Sequence, residues 1–95
     1  MASVKELKKD IDYLVFEVIS DCFTAMTVVS EKKSEELSVI VADAVKLRND
    51  LIARVNHPDG KDNKSMVREH FRKLRKDLVT GVDTLFDRIS SAVKK

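Results

Sequence analysis

The side chains able to do chemistry are few and scattered. Cys22 is the one thiol, and neither His57 nor His70 has a Cys or a second His at ligand spacing. A zinc site needs such a cluster, so no metal is expected. Asp10, Asp12, Glu17 and Asp21 crowd the first segment with carboxylates, but without the Glu-x-x-His pattern by which helical bundles hold paired metals. There is no glycine-rich phosphate loop and no nucleophile elbow. Cys22 falls in the middle of an apolar stripe, where a thiol is inert. The residues therefore predict a non-enzyme, with no catalytic residue, no cofactor, no metal and no small-molecule substrate.

One tripeptide stands apart. His57-Pro58-Asp59 lies between two helical segments. In this it resembles the J-domain co-chaperones, whose hallmark is His-Pro-Asp in the loop between two antiparallel helices. That resemblance implies stimulation of a partner ATPase through these three residues. The chain departs from the family twice. Asp50 and Arg54 precede the tripeptide while the basic run follows it, the reverse of the J-domain order, and the first segment is far longer. Taken as residues alone, the tripeptide is a helix stop. Pro58 disfavours helix at His57, and Asp59-Gly60 supplies a turn.

Three amphipathic segments must position these groups. Ser3-Val4-Lys5-Glu6 has capping-box form, so helix 1 is expected from Val4 to about Val29. Ser30 to Ser34 is a short polar break, with Ser34 the expected cap of helix 2 and Glu35 and Glu36 complementing its dipole. Helix 2 carries Leu37, Ile40, Val41, Ala44, Val45, Leu47, Leu51, Ile52 and Val55. Helix 3 is expected from Asp62 or Asn63 almost to the end, on the seam Val67, Phe71, Leu74, Leu78, Val82, Leu85, Ile89, Ala92. Gly81 inside it costs about 1 kcal/mol of helix propensity unless a close helix approach requires it. With two Gly and one Pro in 95 residues there is room for few loops. The predicted fold is all-α: a single-domain, three-helix, up-down-up bundle of long amphipathic helices over residues 1–95.

The apolar stripe of helix 1 changes width. Val4, Leu7, Ile11, Leu14, Val15, Val18, Cys22, Ala25 and Val29 form one arc, and from Phe16 onward Phe16, Ile19, Phe23 and Met26 add a second row. The arc then spans about 200°, twice what one surface helix buries. In an up-down-up bundle Val39 and Phe86 fall at the same end. Phe16, Ile19, Phe23, Met26, Val39 and Phe86 are therefore the candidate association residues, for a second copy or another protein.

Charge is distributed the other way. Residues 61–76 hold seven Lys or Arg and two acids, a net +5, which leaves −3 elsewhere in a chain of +2. Lys61, Lys64, Arg68, Arg72 and Arg75 form a basic stripe, the alternative site for nucleic acid or an acidic ligand. No aromatic interleaves them for base stacking, and Glu6, Asp10, Asp12, Glu17 and Asp50 are expected to neutralise Arg68, Arg72 and Arg75 across helix interfaces. Glu17 and Asp21 interrupt the least polar window, so no membrane span is expected. Lysines and acids stand where the apolar region of a secretory signal would sit, and a lone cysteine forms no internal disulfide, so a cytoplasmic protein is expected. The stretches Met1 to Ile11 and Asp50 to Asn56 resemble small uncharacterised helical proteins of Bacteroidetes-type bacteria. This resemblance covers about a fifth of the chain and implies no activity.

Overall fold

The computed structural model describes residues 4–58, 60 and 62–94. The expected capping box at Ser3, the residues Asp59 and Lys61, and the last residue lie outside that set. Three helices follow one another: α1 (Val4–Met26), α2 (Glu31–Asn56) and α3 (Lys64–Val93). All three pack on each other. Asp43 pairs with Arg88 and Arg54 with Asp77, so α2 and α3 run antiparallel. Leu7, Asp10 and Leu14 share a groove with Arg75, Leu78 and Val79, which makes α1 and α3 parallel. The architecture is the up-down-up bundle that the periodicity predicts.

Two helix ends differ from expectation. α1 stops at Met26 rather than Val29 because its last turn tightens: Thr27 N donates to Thr24 O and Val28 N to Ala25 O, three residues back. The Thr27 hydroxyl also donates to Thr24 O at 2.7 Å, a side-chain bond that competes with continued helix. Ser30, not Ser34, then caps α2. Its backbone is extended, and its hydroxyl accepts from Lys33 N. Ser34 lies one turn inside, its amide donating to Ser30 O. At the other junctions the sequence reading holds. α2 ends at Asn56, and Asn63 caps α3 by accepting from Ser65 N and Met66 N.

The core is a single aliphatic column. α1 contributes Leu7, Ile11, Val15, Val18, Cys22 and Ala25; α2 contributes Leu37, Ile40, Ala44, Leu51 and Val55; α3 contributes Leu74, Leu78, Val82, Leu85, Ile89 and Ala92. Val4 and Val45, read as stripe residues, stand exposed, and Leu14, Val41, Leu47, Ile52, Val67 and Phe71 are half-buried. Gly81 has a packing reason. A Cβ there would sit 2.8 Å from Leu47 Cδ2, so α2 and α3 approach over this residue.

The bundle is long and thin, 52 × 18 × 18 Å. Its radius of gyration of 15.5 Å exceeds the about 12 Å of a compact chain this size. Its surface, 6722 Å², likewise exceeds the about 5,500 Å² expected for 10.8 kDa. Three long rods leave each helix covered on one side only.

Candidate functional site

Helical phase decides which groove each candidate residue borders. On α1, Asp12 marks the side turned to α2, because its carboxylate accepts from Arg48 Nε at 2.8 Å. Ile19 and Phe23 lie within about 20° of Asp12 around the helix, and Phe16 and Met26 within about 40°. Phe16 is 66% exposed and Phe23 57%, while Ile19 and Met26 are half-buried against the core. On α2, Arg48 marks the matching side. Val41 lies about 20° from it and Val45 about 60°. Val45 is exposed and Val41 half-buried. Because α1 and α2 are antiparallel, Val41 and Val45 stand at the level of Ile19 and Phe16.

These residues form one continuous outer face. Its other members are Ser20, Thr27, Ser34 and Ser38; no charged side chain falls within it between Phe16 and Met26 on α1, and on α2 exposed Glu35 borders it about 60° from Ser38. Charged residues are 36% of the chain, so a bare stretch of this length is a departure from its surroundings. Such apolar patches mark interaction surfaces on soluble proteins. The α2 half of this face departs from the sequence expectation, which places Val41 and Val45 on the buried stripe of helix 2. The signal was available, since Val45 lies about 100° from the centre of the buried row.

The other two association candidates border other grooves. Val39, 54% exposed, lies with Glu36, Thr84, Asp87 and Arg88 in the groove between α2 and α3. Phe86 follows Val79 down the α1-facing side of α3 and is half-buried against the core. All six residues belong to the same end of the bundle, but only Phe16, Ile19, Phe23 and Met26 share a face.

The basic stripe is also displaced from its expected partners. Lys64, Arg68 and Arg72 are exposed on α3, and Lys61 lies outside the described residues. Arg72 reaches only Glu69 of its own helix, at 3.7 Å, and Arg68 and Arg75 make no ion pair among the described residues. The expected neutralisation by α1 therefore does not occur as read. Asp12 lies about 160° around α1 from Asp10, which borders α3, and Arg48 holds it instead. The other interhelical ion pairs among the described residues, Arg54–Asp77 at 3.0 Å and Arg88–Asp43 at 2.8 Å, clasp α2 to α3.

The groups capable of chemistry remain apart. Cys22 is fully buried, and burial, reinforced by the nearby Asp21 carboxylate and opposed by Arg88, pushes its thiol up from the ordinary value of 9.0. His57 is exposed at the C-terminus of α2, where its amide donates to Ala53 O. His70 Nε2 lies 2.8 Å from Arg54 O, and its ring meets Phe71 edge-on at 5.3 Å. Tyr13 is exposed and borders the α1–α3 groove. No cluster of metal-ligating side chains occurs among the described residues. No described helix is long and apolar enough to cross a membrane.

No protein-family model, curated protein or solved structure matches the chain. Its class rests on the fold: an all-α three-helix bundle.

Proposed function

We propose that this chain is a non-enzymatic association module, binding a protein (itself or another) through the outer face of α1 and α2. One observation carries this reading. Phe16 and Phe23, one heptad apart, hold more than half of their surface in solvent, and no charged side chain stands between them on their row. Large aromatics are the side chains whose burial dominates interface energetics. The free, buried thiol of Cys22 suits a reducing compartment, the cytoplasm.

The experiment is affinity capture from a native extract with three baits: wild type, Phe16→Glu/Phe23→Glu and Arg68→Glu/Arg72→Glu. The expected result is a bound protein, a second copy or a different chain, that wild type and the arginine variant retain and the phenylalanine variant loses. Identical bound sets for all three would overturn the reading. Exposed Arg68, in no ion pair among the described residues, supports a second reading, an acidic ligand or nucleic acid on α3. That reading requires binding that the arginine variant alone loses and that weakens steeply with salt.

A further inference from the structure

We infer that the occupant of the α1–α2 face is a second copy of this chain, packed antiparallel about a twofold axis that passes beside Ser20. This rests on the association reading above and names its partner.

Three observations lead to it. The first is area. The molecule exposes about 1,200 Å² more than a compact protein of its mass, against the about 800 Å² per partner that a standard interface buries. The second is that the charged residues of these stretches, Glu17 and Asp21 on α1 and Glu35, Glu36 and Asp43 on α2, fall outside the row of Phe16, Ile19, Phe23, Val41 and Val45. An isologous interface sets a patch against itself, so a charge near its axis meets its own copy. A face whose centre is bare avoids that repulsion.

The third observation fixes the direction. One outer row of α1 runs Lys5, Lys9, Asp12, Phe16, Phe23 and Thr27, all exposed. Stacked parallel, two copies would oppose Lys5 to Lys5 and Lys9 to Lys9. Stacked antiparallel about the midpoint of Phe16 and Phe23, each Phe16 faces the partner's Phe23. Lys9 then stands over the start of the partner's α2, where Glu31 is exposed. The repulsion becomes attraction, and both lysine-bearing ends lie outside the apolar overlap. That overlap runs from Lys9 to the level of Glu31, about 33 Å of helix. Across a bundle 18 Å wide it buries about 600 Å² per copy, at the low end for a specific interface, so a weak, reversible dimer is expected.

Sedimentation equilibrium of the purified full chain from about 1 to 200 μM tests the inference. The expected result is a reversible monomer–dimer equilibrium, weakened at least about 100-fold in Phe16→Glu/Phe23→Glu. Both side chains are mostly exposed, so the variant keeps its helical circular dichroism, and its melting temperature matches wild type at concentrations where wild type is monomeric. Orientation is read from single cysteine substitutions oxidised with diamide, native Cys22 being fully buried. Ser20→Cys, next to the axis, gives a covalent dimer, and Lys5→Cys does not. Cross-linking through Lys5→Cys but not Ser20→Cys would overturn the antiparallel arrangement. A wild-type chain that stays monomeric at 200 μM but still captures another protein through Phe16 and Phe23 would overturn the inference while sparing the association reading. Monomer throughout and no capture overturns both.

Discussion

The two flanks of α2 face opposite fates. The flank turned to α3 is closed. Asp43 and Arg54 reach across to Arg88 and Asp77, Leu47 presses on Gly81, and His70 meets the Arg54 carbonyl. The flank turned to α1 carries the Arg48–Asp12 pair, and beyond it only Val41, Val45 and hydroxyls beside Phe16 and Phe23. Half-exposed ion pairs contribute no more than about 1 kcal/mol each, so one pair on this flank against two on the other makes little difference to stability. Their consequence is coverage. Arg54 and Arg88 lay their aliphatic stems along the α2–α3 groove and keep its outside wet. The α1–α2 side has no such cover, and its apolar surface is left available. One helix thus shows how a bundle separates a finished interface from an unfinished one: by where it spends its charge.

The sharpest way to break this comparison is to put one new charge on each flank. Phe23→Glu and Val39→Glu both replace side chains that are more than half exposed, 57% and 54%. If only the bare flank binds, Phe23→Glu weakens association about 30-fold, the loss of one interface anchor worth about 2 kcal/mol. Val39→Glu, beside Arg88, changes it less than about twofold. Equal losses in titrations of the two variants would show that exposed apolar area at this end of the bundle matters and the choice of flank does not.

The comparison also explains what could be seen in advance. Helix number, antiparallel order, the stop at Asn56 and a start of α3 at Asp62 or Asn63 follow from local rules, and the structure chooses Asn63 as the cap. The widening of the α1 stripe at Phe16 was equally legible, and it marks surface that the bundle leaves exposed. The assignment of neighbours was not legible. A helical wheel gives each residue an angle but not the helix that stands at that angle, since this depends on the handedness of the bundle. Val39 and Phe86 therefore share an end with Phe16 but border different grooves, and of the acids expected to meet the α3 arginines Asp12 pairs with Arg48 of α2 instead, while Asp10 borders Arg75 without an ion pair to it. Ser30 and Ser34 show a different limit. Both can cap a helix, and the choice was made by the early tightening of α1 at Thr27, which freed Ser30 to begin α2 a turn sooner.

The closed flank can be forced open from Gly81. Leucine there has good helix propensity, so any cost is steric. Leu47 already occupies the space a Cβ would need, at 2.8 Å. Gly81→Leu is expected to destabilise by about 1–3 kcal/mol, the usual range for overpacking, read as a lower urea midpoint. Leu47→Ala in the same chain should return part of that loss. A neutral Gly81→Leu would mean that Leu47 swings aside freely and that the α2–α3 flank is as yielding as the other.

The smallest effect comes from Cys22, the buried thiol beneath both flanks. Burial, chiefly, raises its ionisation above the ordinary 9.0. Below pH 9 folded and unfolded chains both keep the proton, and the thiol adds no pH dependence. Above pH 9 the unfolded chain gives it up first, so the folded state loses stability as pH rises, until the folded thiol ionises as well. Every other group is common to wild type and Cys22→Ala, so its contribution cancels between them. The measurement is the difference in urea midpoint between these two chains from pH 7 to 10.5. Whatever its size at pH 7, that difference should shift steadily against wild type above pH 9. A difference that stays flat would place the thiol in contact with water, and the column that separates the two flanks of α2 would not be sealed at its centre.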